Sequence, residues 1–73
     1  MDLDSYSKES LWQLVVETAH SSVMFVSHKA YTKGCVLLET PDVTPQELAH
    51  RLNMSLGEAL VILDELSVEA KES

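Results

Sequence analysis

The sequence predicts an all-α domain of three or four packed helices, and three observations carry that expectation. Apolar residues recur at three- and four-residue intervals instead of alternating. The 45% hydrophobic share is almost wholly aliphatic, with Tyr6, Trp12, Phe25 and Tyr31 as the aromatics. Two segments, at Thr44 and Ser55, open with residues that start helices. At 73 residues the chain is read as one domain, 1–73. A domain near this size buries only roughly 60% of the surface its unfolded form exposes, so its core is small and its stability modest.

The first helix is expected from about Ser7 to Ser21. Residues 1–6 are polar and read as a flexible terminus. Ser7 can cap the helix and Glu9 falls in its first turn, near the positive end of the dipole. Leu11, Leu14, Val15, Thr18, Ala19, Ser22 and Val26 then follow at helical spacing. No Pro or Gly interrupts the chain before Gly34, so a single helix to Lys33 is conceivable, with Ser21-Ser22 as its natural break. For Ser22 to Glu39 a helix is preferred. Its competitor is a β-hairpin of Val23–Val26 and Cys35–Leu38, since both runs are short and partly β-branched. Pro41 ends whatever precedes it, because proline disfavours helical angles in the residue before it.

From Val43 the pattern becomes explicit. Thr44-Pro45-Gln46-Glu47 reads as a capping box, with the Thr44 hydroxyl on the Glu47 amide and the Glu47 carboxylate reaching back to the Thr44 amide. Pro45 stands at the first helical position, where its missing donor costs nothing. Val43 and Leu48 have the spacing of a hydrophobic staple. This helix should run from Pro45 to Leu52 and end at Asn53, the non-glycine residue best suited to left-handed angles. Ser55-Leu56-Gly57-Glu58 repeats the box, Met54 and Ala59 repeat the staple, and Leu56, Ala59, Leu60, Leu63 and Leu66 place a last helix over about Leu56 to Val68. Residues 69–73 read as a loose, charged tail.

Two helices joined by so few residues must fold back and pack through Leu48, Ala49 and Leu52 against Ala59, Leu63 and Leu66. In Glu47-Leu48-Ala49, Leu52, Met54-Ser55, Ala59, Leu63 and Leu66, the stretch Val43 to Leu66 resembles the helix-turn-helix superfamily, its winged-helix members especially. The resemblance implies a helix-turn-helix within the bundle. It departs from winged helices after Leu66, where Ser67 to Ser73 is too short and too charged for a β-hairpin wing.

In DNA-binding members the second helix enters the major groove. The resemblance places Leu56, Gly57, Glu58, Leu60 and Val61 at its contact positions, with Asp64 and Glu65 further along, and none is basic. Acids there would be desolvated beside phosphates, and Leu or Val offers only contacts to thymine methyls. The same residues suit a protein: an apolar strip of Leu56, Leu60 and Val61, rimmed by Glu58, Asp64 and Glu65. Leu60 and Val61 have a second reading, as ordinary core covered by the first helix. The expected function is therefore a non-enzymatic protein-interaction module. Its partner is a protein with a basic or apolar surface, a second copy of the chain included.

Twelve acids against five bases give a net charge of −7, which repels nucleic-acid phosphate. The charge is uneven, for Thr18 to Leu38 holds no acid yet carries His20, His28, Lys29 and Lys33. This stretch is expected to complement the acidic remainder of the fold. The alternative is a small DNA-binding transcription regulator that uses Lys29, Lys33 and Arg51.

Other chemistry finds little support. His20, His28, His50 and Cys35 lack the short spacings of zinc motifs, so no metal site and no cofactor is expected. Cys35 lies in an apolar run and reads as a small buried hydrophobe. Trp12 lies off the Leu11/Val15 stripe and either seals the core or anchors a partner. Neither a nucleophile nor an acid–base pair is placed in a shaped cavity, so no enzyme is expected. One cysteine gives no internal disulfide, and acids stand where a leader would carry bases, so a cytoplasmic location is expected. The apolar runs are too short for a membrane span.

Overall fold

Ser21-Ser22, Pro41 and Asn53 divide the described residues into four helical rods. The structure, a computed structural model, describes residues 8–72. The elements are α1 (Lys8–His20), α2 (Phe25–Tyr31), a π-helical segment (Thr32–Val36), α3 (Leu37–Glu39), α4 (Pro45–Leu52) and α5 (Leu56–Glu72). The run from α2 to α3 is unbroken. The described residues contain no strand, so the fold is all-α, and the Val23–Val26/Cys35–Leu38 hairpin does not form. Ser7 as a cap and the loose terminus 1–6 lie outside the described residues.

Local hydrogen bonding explains the first break. Ser21 Oγ donates to the Thr18 carbonyl at 2.7 Å, and Ser22 Oγ accepts the Met24 amide. These serines offer the backbone an alternative to the helical ladder. The face that α1 buries is rotated from the expected one. Trp12, Val15, Val16 and Ala19 meet the core, while Leu14 and Thr18 are exposed and Val26 points outward from α2. Trp12 thus seals the core. Cys35 is exposed with a free thiol, a correction to its reading as a buried hydrophobe, because the π-helical segment turns it away from the core beside Val36.

The later boundaries fall where the caps place them. Asn53 has φ 55° and ψ 52°, and its amide bonds the Ala49 carbonyl to close α4. Each capping box forms only one arm. Thr44 Oγ1 accepts the Glu47 amide at 3.2 Å and Ser55 Oγ accepts the Glu58 amide at 3.1 Å. The Glu47 carboxylate, however, meets the Thr44 hydroxyl, and that of Glu58 goes to His28. The expected loose tail is helical as far as Glu72, held at Glu69 by Lys29.

α5 is the axis of the fold. It packs against α1 and α4, and against α2 over a shorter length. Ala59, Val61, Ile62 and Leu66 of α5 join Ala19, Phe25, Val36, Val43 and Leu48 in one buried cluster. Fully buried aliphatics such as Leu48 and Ile62 each contribute about 1.5–3 kcal/mol by leaving water. Thr32, also fully buried, satisfies its hydroxyl by donating to the His28 carbonyl at 2.7 Å. No helix among the described residues is long and apolar enough to cross a membrane.

Candidate functional site

The 3.6-residue period of α5 sorts its side chains into three groups. Ala59, Val61, Ile62 and Leu66 face the core. Glu58, Glu65 and Glu69, spaced seven and four apart, face α1 and α2. Leu56, Leu60, Asp64 and Val68, spaced by four, face solvent, with Leu56 46% and Leu60 39% exposed.

Of the six residues expected to form a protein-binding strip, the structure leaves Leu56, Leu60 and Asp64 together on the outer side. Val61 is fully buried, because one residue beyond Leu60 the helix has turned by about 100° toward the core. Glu58 is also buried, its carboxylate 2.5 Å from His28 Nδ1, so it cannot rim an external surface. Glu65 is half-buried and already paired. Val68, read only as the end of the helix, joins the outer side in place of Val61.

The acid-free stretch does complement the acidic remainder of the fold. Lys29 Nζ donates to Glu69 Oε2 at 2.6 Å and to Glu65 Oε1 at 2.9 Å. Those two hydrogen bonds, that of Glu69 first, raise the Lys29 pKa above its ordinary 10.5. Burial alone would push Glu65 upward. Hydrogen bonds with Lys29 and His20, whose Nε2 lies 2.6 Å from Glu65 Oε2, outweigh it and hold the carboxyl below its usual range. The His20 ring also meets Phe25 edge-on, with centroids 4.9 Å apart.

These pairs remove most of the expected basic patch. Lys29 is neutralised twice, and Arg51 lies 3.3 Å from Glu39 and 3.4 Å from Thr40. Lys33 forms no ion pair with the described residues and lines a shallow groove with Lys29, while Arg51 does not line that groove. Among the described residues no three His, Cys, Asp or Glu side chains gather as metal ligands would.

A groove of about 640 Å³ lies between α1, the turn before α2 and the start of α5. Leu14, Val15, Met24 and Met54 make it apolar, and His28 with Glu58 forms its polar wall. A histidine oriented by a carboxylate is half of a general-base arrangement. The nearby Ser55 hydroxyl is engaged with the Glu58 amide, and Cys35 is not part of the lining. The His28–Glu58 pair therefore reads as a tie between α2 and α5. One signal in the sequence could have revealed it: Glu58, Glu65 and Glu69 share a face of α5, and adjacent His28 and Lys29 supply hydrogen-bonding partners to one side.

Compared with protein-family models, with curated proteins and with solved structures, the chain matches none.

Proposed function

We propose that the chain is a non-enzymatic protein-interaction module on a helix-turn-helix scaffold. α4, the three residues Asn53-Met54-Ser55 and α5 correspond to the motif, and α5 stands where its recognition helix would. One observation carries the reading: the outward side of α5 presents Leu56, Leu60 and Val68 around Asp64. A phosphate backbone has nothing to pair with there, and Asp64 repels it. A protein surface with an apolar centre and a basic edge buries the aliphatics and matches the acid. The partner is therefore a basic amphipathic element of another protein.

The test is a titration of the labelled full chain with an amphipathic helical peptide carrying Leu on one face and Lys at its edges, followed by amide NMR shifts. Shifts centred on Leu56, Leu60, Asp64 and Val68, and abolished by Leu60→Asp, are expected. Shifts confined to other helices would overturn the reading. So would a low-salt mobility shift of random-sequence duplex DNA, and its weakening by Lys33→Glu would assign the chain to nucleic acid.

A further inference from the structure

Glu58 carries acceptor capacity that the fold leaves unused. Its side chain is 8% exposed, and the side-chain bond it makes among the described residues joins Oε2 to His28 Nδ1. An ionised carboxylate accepts about four hydrogen bonds over its two oxygens. Oε1 meets no donor among the described residues, although taking a carboxylate out of water without partners is costly. No sealed side-chain polar atom among the described residues lacks a partner, so Oε1 is reached from outside. The way in is the groove of about 640 Å³ that Glu58 and His28 both line.

His28 adds a second acceptor to the same wall. In its neutral form the ring donates Nδ1–H to Glu58, and Nε2, which bonds no described residue, keeps its lone pair. The groove is otherwise mostly apolar, and neither Lys nor Arg lines it. Its one acid is Glu58, in a chain of net charge −7.

We infer that this groove binds a small organic amine, a protonated ammonium group on an apolar body. The ammonium brings several N–H donors and no acceptor, which matches Glu58 Oε1 and His28 Nε2. Its charge meets the buried carboxylate, while an apolar acid would set a second negative charge beside Glu58 with no base to pair it. The apolar body lies against Leu14 and Met24, which the monomer leaves 45% and 49% exposed, and against Met54. Methionine side chains adapt to irregular shapes, which suits a pocket wall.

Size and shape fit a small molecule. Pockets for such ligands span about 300–1,000 Å³ and are concave, and this one is walled by α1, the turn before α2 and the first turns of α5. Gly57 leaves room along that wall. Its φ is not positive, and a Cβ built there would meet only Val15 Cγ1, at an ordinary 3.5 Å. This inference uses none of the outward side chains of α5 and stands or falls separately from the proposed protein surface.

The test titrates the full chain at neutral pH with octylamine, octanoate and octanol, which share an apolar body and differ in the head, and follows methionine-methyl and amide NMR shifts. Saturable shifts of the Met24 and Met54 methyls and the Gly57 amide with octylamine are expected, with octanol about tenfold weaker and octanoate weaker still. Glu58→Gln should bring octylamine to the level of octanol. Because Glu58 also ties α5 to α2, the exposed Leu14 supplies a second comparison that leaves the circular dichroism unchanged. Leu14→Lys should weaken octylamine about tenfold, and Leu14→Gln, which removes the same apolar contact without adding charge, about threefold or less. Equal binding of the three probes, a preference for octanoate, or equal losses in the two Leu14 variants would overturn the inference. So would the absence of saturable shifts at millimolar octylamine, or shifts centred on Leu56 and Leu60. A groove that answers the Leu/Lys peptide but not octylamine would overturn it too, and would assign the groove to a protein segment.

Discussion

Replacing Glu58 with alanine should destabilise the chain by about 2–3 kcal/mol, far more than the loss of a surface acid. The Glu58 side chain is 8% exposed, and that of His28, 2.5 Å away, is 18% exposed. A hydrogen bond to a charged group contributes about 1.5–3 kcal/mol. Removing one member of a fully buried pair costs about 3–5 kcal/mol. The partial exposure of His28 puts this pair nearer the first range, at about 2 kcal/mol. A carboxylate in the first turn of α5 adds about 0.3–1 kcal/mol through the helix dipole. The cap is untouched, since Ser55 Oγ bonds the residue-58 amide whatever its side chain. At about 4–8 °C per kcal/mol for a domain of this size, the melting temperature should fall by roughly 10–20 °C. Urea unfolding followed by far-UV circular dichroism measures the free energy, and a cycle with His28→Ala isolates the pair, with coupling above about 1 kcal/mol expected. A change within about 0.5 kcal/mol, the usual range for a surface site, or strict additivity with His28→Ala, would refute the reasoning.

Further outcomes follow from the same structure. Glu65, with its pKa lowered, stabilises the fold above its unfolded pKa and loses that contribution as pH falls through the folded value. Lys29, with its pKa raised, contributes below 10.5 and loses that contribution as pH rises through its higher folded value. The contribution of this pair should therefore be lost at both extremes of pH, and Lys29→Met should flatten both limbs in melting curves taken across pH. Thr44→Ala should cost about 1 kcal/mol by freeing the Glu47 amide, measured by urea unfolding. Asn53→Ala should cost about 1 kcal/mol for holding a Cβ at φ 55°, whereas Asn53→Gly should not. Val61→Asp should abolish the cooperative melt, while its neighbour Leu60→Asp should retain it, because only the former forces a charge into the core.

Legibility in the sequence followed the range of the interaction. α4 and its ends could be read from Thr44, Pro45 and Asn53, because a cap acts within three residues and needs no distant partner. The break at Ser21-Ser22 was legible for the same reason. The α1 stripe was set one position off, since Leu14 and Trp12 are equally apolar and only the placement of α5 decides which of them is covered. The capping boxes were half right. A glutamate at the third helical position is free to bond back along the chain unless a side chain from another helix outcompetes the local amide, as His28 does for Glu58.

The sequence by itself determined the two capped helices and their turn and a segment of complementary charge, and it favoured helix over a hairpin for Ser22 to Glu39, all consequences of composition and short-range hydrogen bonding. Only the tertiary structure decided that Val61 is core, that Lys29 joins Glu65 and Glu69, and that the π-helical segment buries Thr32 and Val36 while leaving Cys35 exposed. Those features depend on which helix lies against which. Contacts across 30 to 45 residues, such as His28–Glu58 and His20–Glu65, show in the chain only as the shared face of Glu58, Glu65 and Glu69, which does not name the helix that meets it.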